Sequence, residues 1–75
     1  MRVVVYTAAD CGLCASAVDV VRQVCGEEFE LVDITGDPAL ETAYRTSLPV
    51  VELDGERAFT YFVSADALRR RFAQR

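Results

Sequence analysis

The chain holds three cysteines, and Cys11-Gly12-Leu13-Cys14 sets two of them three positions apart. The pair stands where a β-branched run gives way to an amphipathic one, the strand-to-helix setting in which a C-x-x-C is redox-active. A thiolate at Cys11 can attack a foreign disulfide and form a mixed disulfide. Cys14, one turn along, can then displace the product and close a Cys11–Cys14 bond. A helix beginning at Cys11 favours that division of labour. Its N-terminus carries about half a positive charge and N–H groups without intrahelical acceptors, and both stabilise a thiolate at Cys11. Cys14, farther in and more covered, is the resolving thiol.

Other uses of the pair fit less well. A zinc site needs about four ligands, whereas the chain has no His and only Cys25 besides the pair. A bond across so short a loop restricts the unfolded chain little, so stapling is a weak reason for it. Two inert buried cysteines are the remaining alternative, and an exposed helix start is the wrong place for them. Cys25 closes the same helical segment and reads as a small buried apolar residue, with a regulatory thiol or an intermolecular bond as the alternative. Asp10 can act in two ways: an ionised carboxylate beside Cys11 opposes its thiolate, or the side chain caps the helix.

The elements that must position these residues follow from pattern. Met1 to Tyr6 is a β-branched run without alternation, as in a strand buried on both faces. From Cys11 to Cys25 the residues Leu13, Ala17, Val20, Val21 and Val24 share one helical face, and Gly26 is the stop. Phe29 to Ile34 is a second strand. Asp37-Pro38 supplies an N-cap and a Pro at the first helical position of a short helix ending near Tyr44. Pro49 to Leu53 reads as a third strand and Arg57 to Phe62 as its return. Asp54-Gly55 between them suits a type I′ turn, which needs positive φ at both central positions. Ser64 caps a last helix that contains Asp66, Leu68 and Phe72. Tyr6, Phe29, Phe59, Phe62 and Phe72 are expected in or near the core, and Tyr61 can line the site. Leu48-Pro49 reads either as an ordinary strand start or as a cis peptide that turns the Leu48 backbone outward.

Seventy-five residues make one domain, 1–75, with 52% hydrophobic side chains to build a core that is small at this size. The net charge is −4 and every cation is Arg. With no basic stripe, nucleic acid is excluded as a partner, because phosphate neutralisation supplies most of that affinity. The run Arg69-Arg70-Arg71 reads as a solvated helix end, where cations offset the dipole, with docking to an acidic partner as the alternative. No stretch reaches the roughly 20 apolar residues of a membrane span. Asp10 interrupts the first apolar run too early for a signal peptide, so a cytoplasmic protein is expected.

Tyr6-Thr7, the C-x-x-C, Val32-Asp33-Ile34, Tyr44, Leu48-Pro49-Val50 and Asp54-Gly55, in this order and spacing, resemble glutaredoxins over nearly the whole chain. The likeness is greatest to small bacterial glutaredoxin-like proteins with a C-x-L-C site. The resemblance implies an α/β, thioredoxin-like fold of order β-α-β-α-β-β-α, with a four-stranded mixed sheet of order 2-1-3-4 and helices on both faces. It implies Cys11 as nucleophile, Cys14 as resolving thiol and Pro49 as a cis proline. Leu48, Pro49, Arg45, Tyr61 and Asp66 then become the substrate-binding region. The expected function is a thiol–disulfide oxidoreductase acting as a dithiol electron carrier, monomeric, with no tightly bound cofactor and no metal. Its partners would be a disulfide-containing protein or a glutathione mixed disulfide, together with a reductase, and glutathione is a possible reductant. An iron–sulfur-binding module and a non-catalytic interaction domain are the alternatives. The chain departs from glutaredoxins in three places: Gly12-Leu13 inside the motif, the absence of Lys, and Tyr61-Phe62-Val63 in place of a Gly-Gly pair.

Overall fold

A computed structural model describes residues Met1–Ala73. Their elements run β1 (Val3–Thr7), α1 (Cys14–Cys25), β2 (Glu30–Asp33), α2 (Pro38–Tyr44), a 3₁₀ turn (Arg45–Ser47), β3 (Val50–Leu53), β4 (Glu56–Thr60) and α3 (Ala65–Ala73). The four strands form one sheet of order β2-β1-β3-β4. β1 pairs in parallel with β2 and antiparallel with β3, and β3 is antiparallel to β4. This is the thioredoxin-like order.

The buried residues form two clusters, and the alternate residues of β1 and β3 that share one face build the first of them. Val3, Val5, Val51 and Leu53 pack with Val21 of α1 and Leu68 of α3. Val5 and Val51 are direct cross-strand partners, as are Val3 and Leu53. A second buried cluster joins Ala8, Cys14, Ile34 and Leu48, with Tyr6, Cys11, Leu40 and Tyr44 packed against it. The central strand β1 is buried at Val3, Val4 and Val5, as its unalternated sequence requires. β2 lies at the sheet edge and is largely exposed.

Local chemistry sets the element ends. Asp54 and Gly55 have φ of 51° and 85°, the two left-handed residues of the β3–β4 turn. Asp37 accepts from the N–H groups of Ala39 and Leu40 with Pro38 behind it, and Ser64 Oγ accepts from the Ala67 N–H. Gly26 ends α1 at φ 64°, donating its N–H to Arg22 O.

Three expectations need correction. α1 begins at Cys14 rather than Cys11. Gly12 is a poor helix former, and Leu13 at the N-cap has no side-chain acceptor for the free N–H groups. Asp10 does not cap the helix, because Arg45 engages its carboxylate. β4 ends at Thr60, two residues short of Phe62. Tyr61 takes φ 65° and donates its N–H to Pro49 O, which turns the chain out of the sheet. Phe62, expected near the core, is therefore 74% exposed.

Candidate active site

The cysteine loop hangs between the end of β1 and the start of α1. Cys11 donates its N–H to Ala8 O at 3.2 Å, and Cys14 donates to Cys11 O at 3.4 Å. This turn brings the two Cα atoms to 5.5 Å, and the thiols are joined as a disulfide. The two sulfurs differ in access. Cys14 is 5% exposed and belongs to the second core cluster, whereas Cys11 packs on that cluster's edge and is only partly buried.

Three further segments frame the pair. Leu48, buried in the same cluster as Cys14, precedes Pro49 through a cis peptide bond. An open cleft of about 380 Å³ is lined by both cysteines together with Ala8, Val18, Asp19 and the edge residue Leu31. A smaller hollow of about 150 Å³ is bounded by Leu13, from inside the motif, and by Tyr61, Phe62 and Val63. The Tyr61 hydroxyl donates to Thr46 O at 2.8 Å, tying the post-β4 segment to the turn before Pro49.

Charge is concentrated on the α2 side. Arg45 donates from Nη1 to Asp10 Oδ1 and from Nε to Glu41 Oε1, each at 2.6 Å. Those bonds hold both carboxyls below their ordinary range, and Arg45 correspondingly above its own. Asp33, at the end of β2, is also lowered, chiefly by hydrogen bonds from Thr35. Beneath this layer, Glu52 accepts from the Tyr44 hydroxyl at 2.6 Å and from Tyr6 at 3.4 Å. The two tyrosine rings stack at 4.1 Å, and the Arg57 guanidinium lies 5.0 Å from the Tyr44 centroid. The Glu52 carboxylate, then burial, push the Tyr44 hydroxyl above its usual range.

Of the residues singled out from sequence, Cys11, Cys14 and Leu48 share one cluster, with Pro49 adjoining, and Tyr61 lines the neighbouring hollow. Arg45 reaches the cysteine loop through Asp10. Asp66 sits in the first turn of α3 and accepts from Arg69; it lines neither cleft beside the pair. Cys25 is a free, half-buried thiol whose pKa is raised by burial and then by Glu28. Sequence reading missed the Asp10–Arg45 pair and the Glu52–Tyr44–Tyr6 network. An acid at the centre of the apolar run Val50-Val51-Glu52-Leu53 was the one visible sign of the latter. Among the described residues no group of three or more His, Cys, Asp or Glu side chains is arranged to hold a metal ion, and no helix is long and apolar enough to cross a membrane.

Fold and disulfide together define a glutaredoxin-like domain of thioredoxin fold. Residues 2–73 match the family described as Glutaredoxin-like domain (DUF836), and the chain belongs to that family. It is similar over its whole length to the Northeast Structural Genomics target protein XcR50 from X. campestris. The X-ray structure of that protein is 31% identical, with 99% of each chain covered and a TM-score of 0.83. Its solution structure is 32% identical, covering 100% of this chain and 96% of that one, with a TM-score of 0.80. No curated protein matches the chain. The family and the bonded pair are consistent with a redox function.

Proposed function

We propose that the protein is a thiol–disulfide oxidoreductase, a monomeric dithiol carrier that reduces protein or mixed disulfides in the cytoplasm. The Cys11 thiolate attacks one sulfur of the substrate disulfide, forming a Cys11–substrate bond and releasing the other sulfur as a thiolate. Cys14 gives up its proton and attacks the Cys11 sulfur, releasing the second substrate thiolate and leaving the Cys11–Cys14 bond. Two electrons pass from the dithiol to the substrate, and a reductase or glutathione restores the dithiol.

The observation that carries this reading is the unequal access of two bonded thiols. Cys11 is partly exposed at the cleft that both cysteines line, and Cys14, bonded to it, is only 5% exposed. Supporting it, the surface beside the motif is apolar: Leu13, Tyr61 and Phe62 are 40%, 48% and 74% exposed. Isolated exposed apolar residues are ordinary, but a contiguous group marks an interaction surface. A polypeptide carrying the target disulfide would lay apolar side chains there, with its backbone along Leu48 and Pro49.

The test is a pair of variants assayed for reduction of a protein disulfide. Cys11→Ser abolishes turnover. Cys14→Ser stops after the first step and accumulates a covalent adduct on Cys11, visible by mass spectrometry without reductant. Full activity in both variants would refute the assignment.

A further inference from the structure

We infer that Arg45 is a positioning residue for the Cys11 thiolate: it holds the Asp10 carboxylate in an ion pair and so cancels the negative charge next to the attacking sulfur. This rests on the reading of Cys11 as the nucleophile.

The chain places an acid where thiolate chemistry least tolerates one, since a nearby like charge disfavours the ionised form of a thiol. Asp10 immediately precedes Cys11 and caps no helix. Its carboxylate goes instead to Arg45, 35 positions along the chain, at 2.6 Å. Arg45 is itself aimed: Glu41, one helical turn earlier, takes its Nε at 2.6 Å and leaves Nη1 to reach the cysteine loop. Among the described residues this is the only side-chain hydrogen bond joining residues 8–14 to residues 37–49.

The charged groups near the loop and its ion pair come from several elements. Asp10 lies on its own loop, and Asp19 of α1 shares its cleft. Asp33 at the end of β2 feels both Asp10 and Arg45, and Glu41 comes from α2. Arg45 is the single cation among these groups. Without it the remaining groups are all acids, and Arg57 of β4 is engaged over the Tyr44 ring.

The pair is partly wet, with side chains 75% and 37% exposed, so its effect is moderate. One charge removed at several ångströms through a mostly aqueous medium moves a thiol by about half a unit to one unit, a three- to tenfold change in thiolate fraction.

The measurement is the pH dependence of iodoacetamide alkylation of the reduced protein at low salt, with the adduct assigned to Cys11 by mass spectrometry. Arg45→Ala raises the midpoint by about half a unit or more, and Arg45→Lys, which keeps the charge, leaves it near wild type. Asp10→Asn lowers it, and the double variant Asp10→Asn/Arg45→Ala returns to within about 0.3 unit of wild type. A purely structural clamp would not move the midpoint in opposite directions from its two ends. The inference is overturned if Arg45→Ala leaves the midpoint unchanged, or if the double variant retains the whole Arg45→Ala shift. Because the readout needs thiol ionisation and not turnover, the two readings fail separately. Opposed shifts alongside an active Cys11→Ser would sink only the proposed function. An inactive Cys11→Ser with an unmoved Arg45→Ala would sink only this inference.

Discussion

Replacing Tyr44 by Phe isolates one bond in the layer beneath the candidate site. The substitution keeps the ring, and with it the 4.1 Å stack on Tyr6 and the Arg57 contact. It removes only the hydroxyl that donates to Glu52 at 2.6 Å. A hydrogen bond to a charged acceptor contributes about 1.5–3 kcal/mol, and the half-buried setting argues for the lower end, about 1.5 kcal/mol. For a domain of this size that is a fall in Tm of roughly 6–12 °C. The pH dependence gives a second, independent check. Folding raises the Tyr44 pKa above its unfolded value of about 10. The bond therefore contributes in full below about pH 10, and its contribution is lost as pH rises from there toward the higher folded value. Urea denaturation of both proteins at pH 7 and across pH 9–11 reads both effects. The wild type is the more stable at pH 7, and the gap narrows above about pH 10. A difference below about 0.5 kcal/mol at pH 7, or a gap that persists unchanged above pH 10, would refute the reasoning.

Two further substitutions separate core from surface. Leu68→Ala empties a fully buried position where α3 meets α1 and the sheet. Its cost is about 2–5 kcal/mol, a large share of the stability of a domain this small. A thermal melt shifted by less than about 5 °C would mean that α3 contributes little to the core. Phe62→Ser changes stability by less than about 0.5 kcal/mol, because the side chain is 74% exposed. In the disulfide-reduction assay it raises KM severalfold for a protein disulfide and leaves a small-molecule disulfide unaffected. An equal loss on both substrates would show that Phe62 does not meet the polypeptide.

What the sequence disclosed is what short-range chemistry decides. Asp54-Gly55 names its own turn because few other dipeptides tolerate two positive φ values, and the structure gives 51° and 85° there. Asp37-Pro38 and Ser64 likewise carry their caps within three residues. The unalternated valines of β1 announce a strand covered on both faces. The failures arise where a distant residue decides. Leu13 is in phase with Ala17 and Val20, so periodicity extends the helix to include it. With Asp10 held by a residue 35 positions away, no cap forms and the helix starts later. Phe62 reads as strand until the Pro49 carbonyl captures the Tyr61 N–H and turns the chain outward.

The later start of α1 changes which force can activate Cys11. The macrodipole falls off within the terminal turn, and Cys11 lies in the turn ahead of the helix, while Cys14 occupies its first position. What distinguishes Cys11 is its accessibility beside a 5% exposed partner, together with the charge on its own loop. That charge is an acid, so the balance at the Cys11 sulfur turns on how completely Arg45 answers it. Screening makes the point measurable. The exposed Asp10–Arg45 pair weakens as salt rises above about 0.15 M, whereas a backbone contribution to the thiolate would be far less sensitive. If Arg45 governs Cys11, the alkylation midpoints of wild type, Asp10→Asn and Arg45→Ala converge with added salt. Midpoints that already coincide at low salt would return the activation to the backbone.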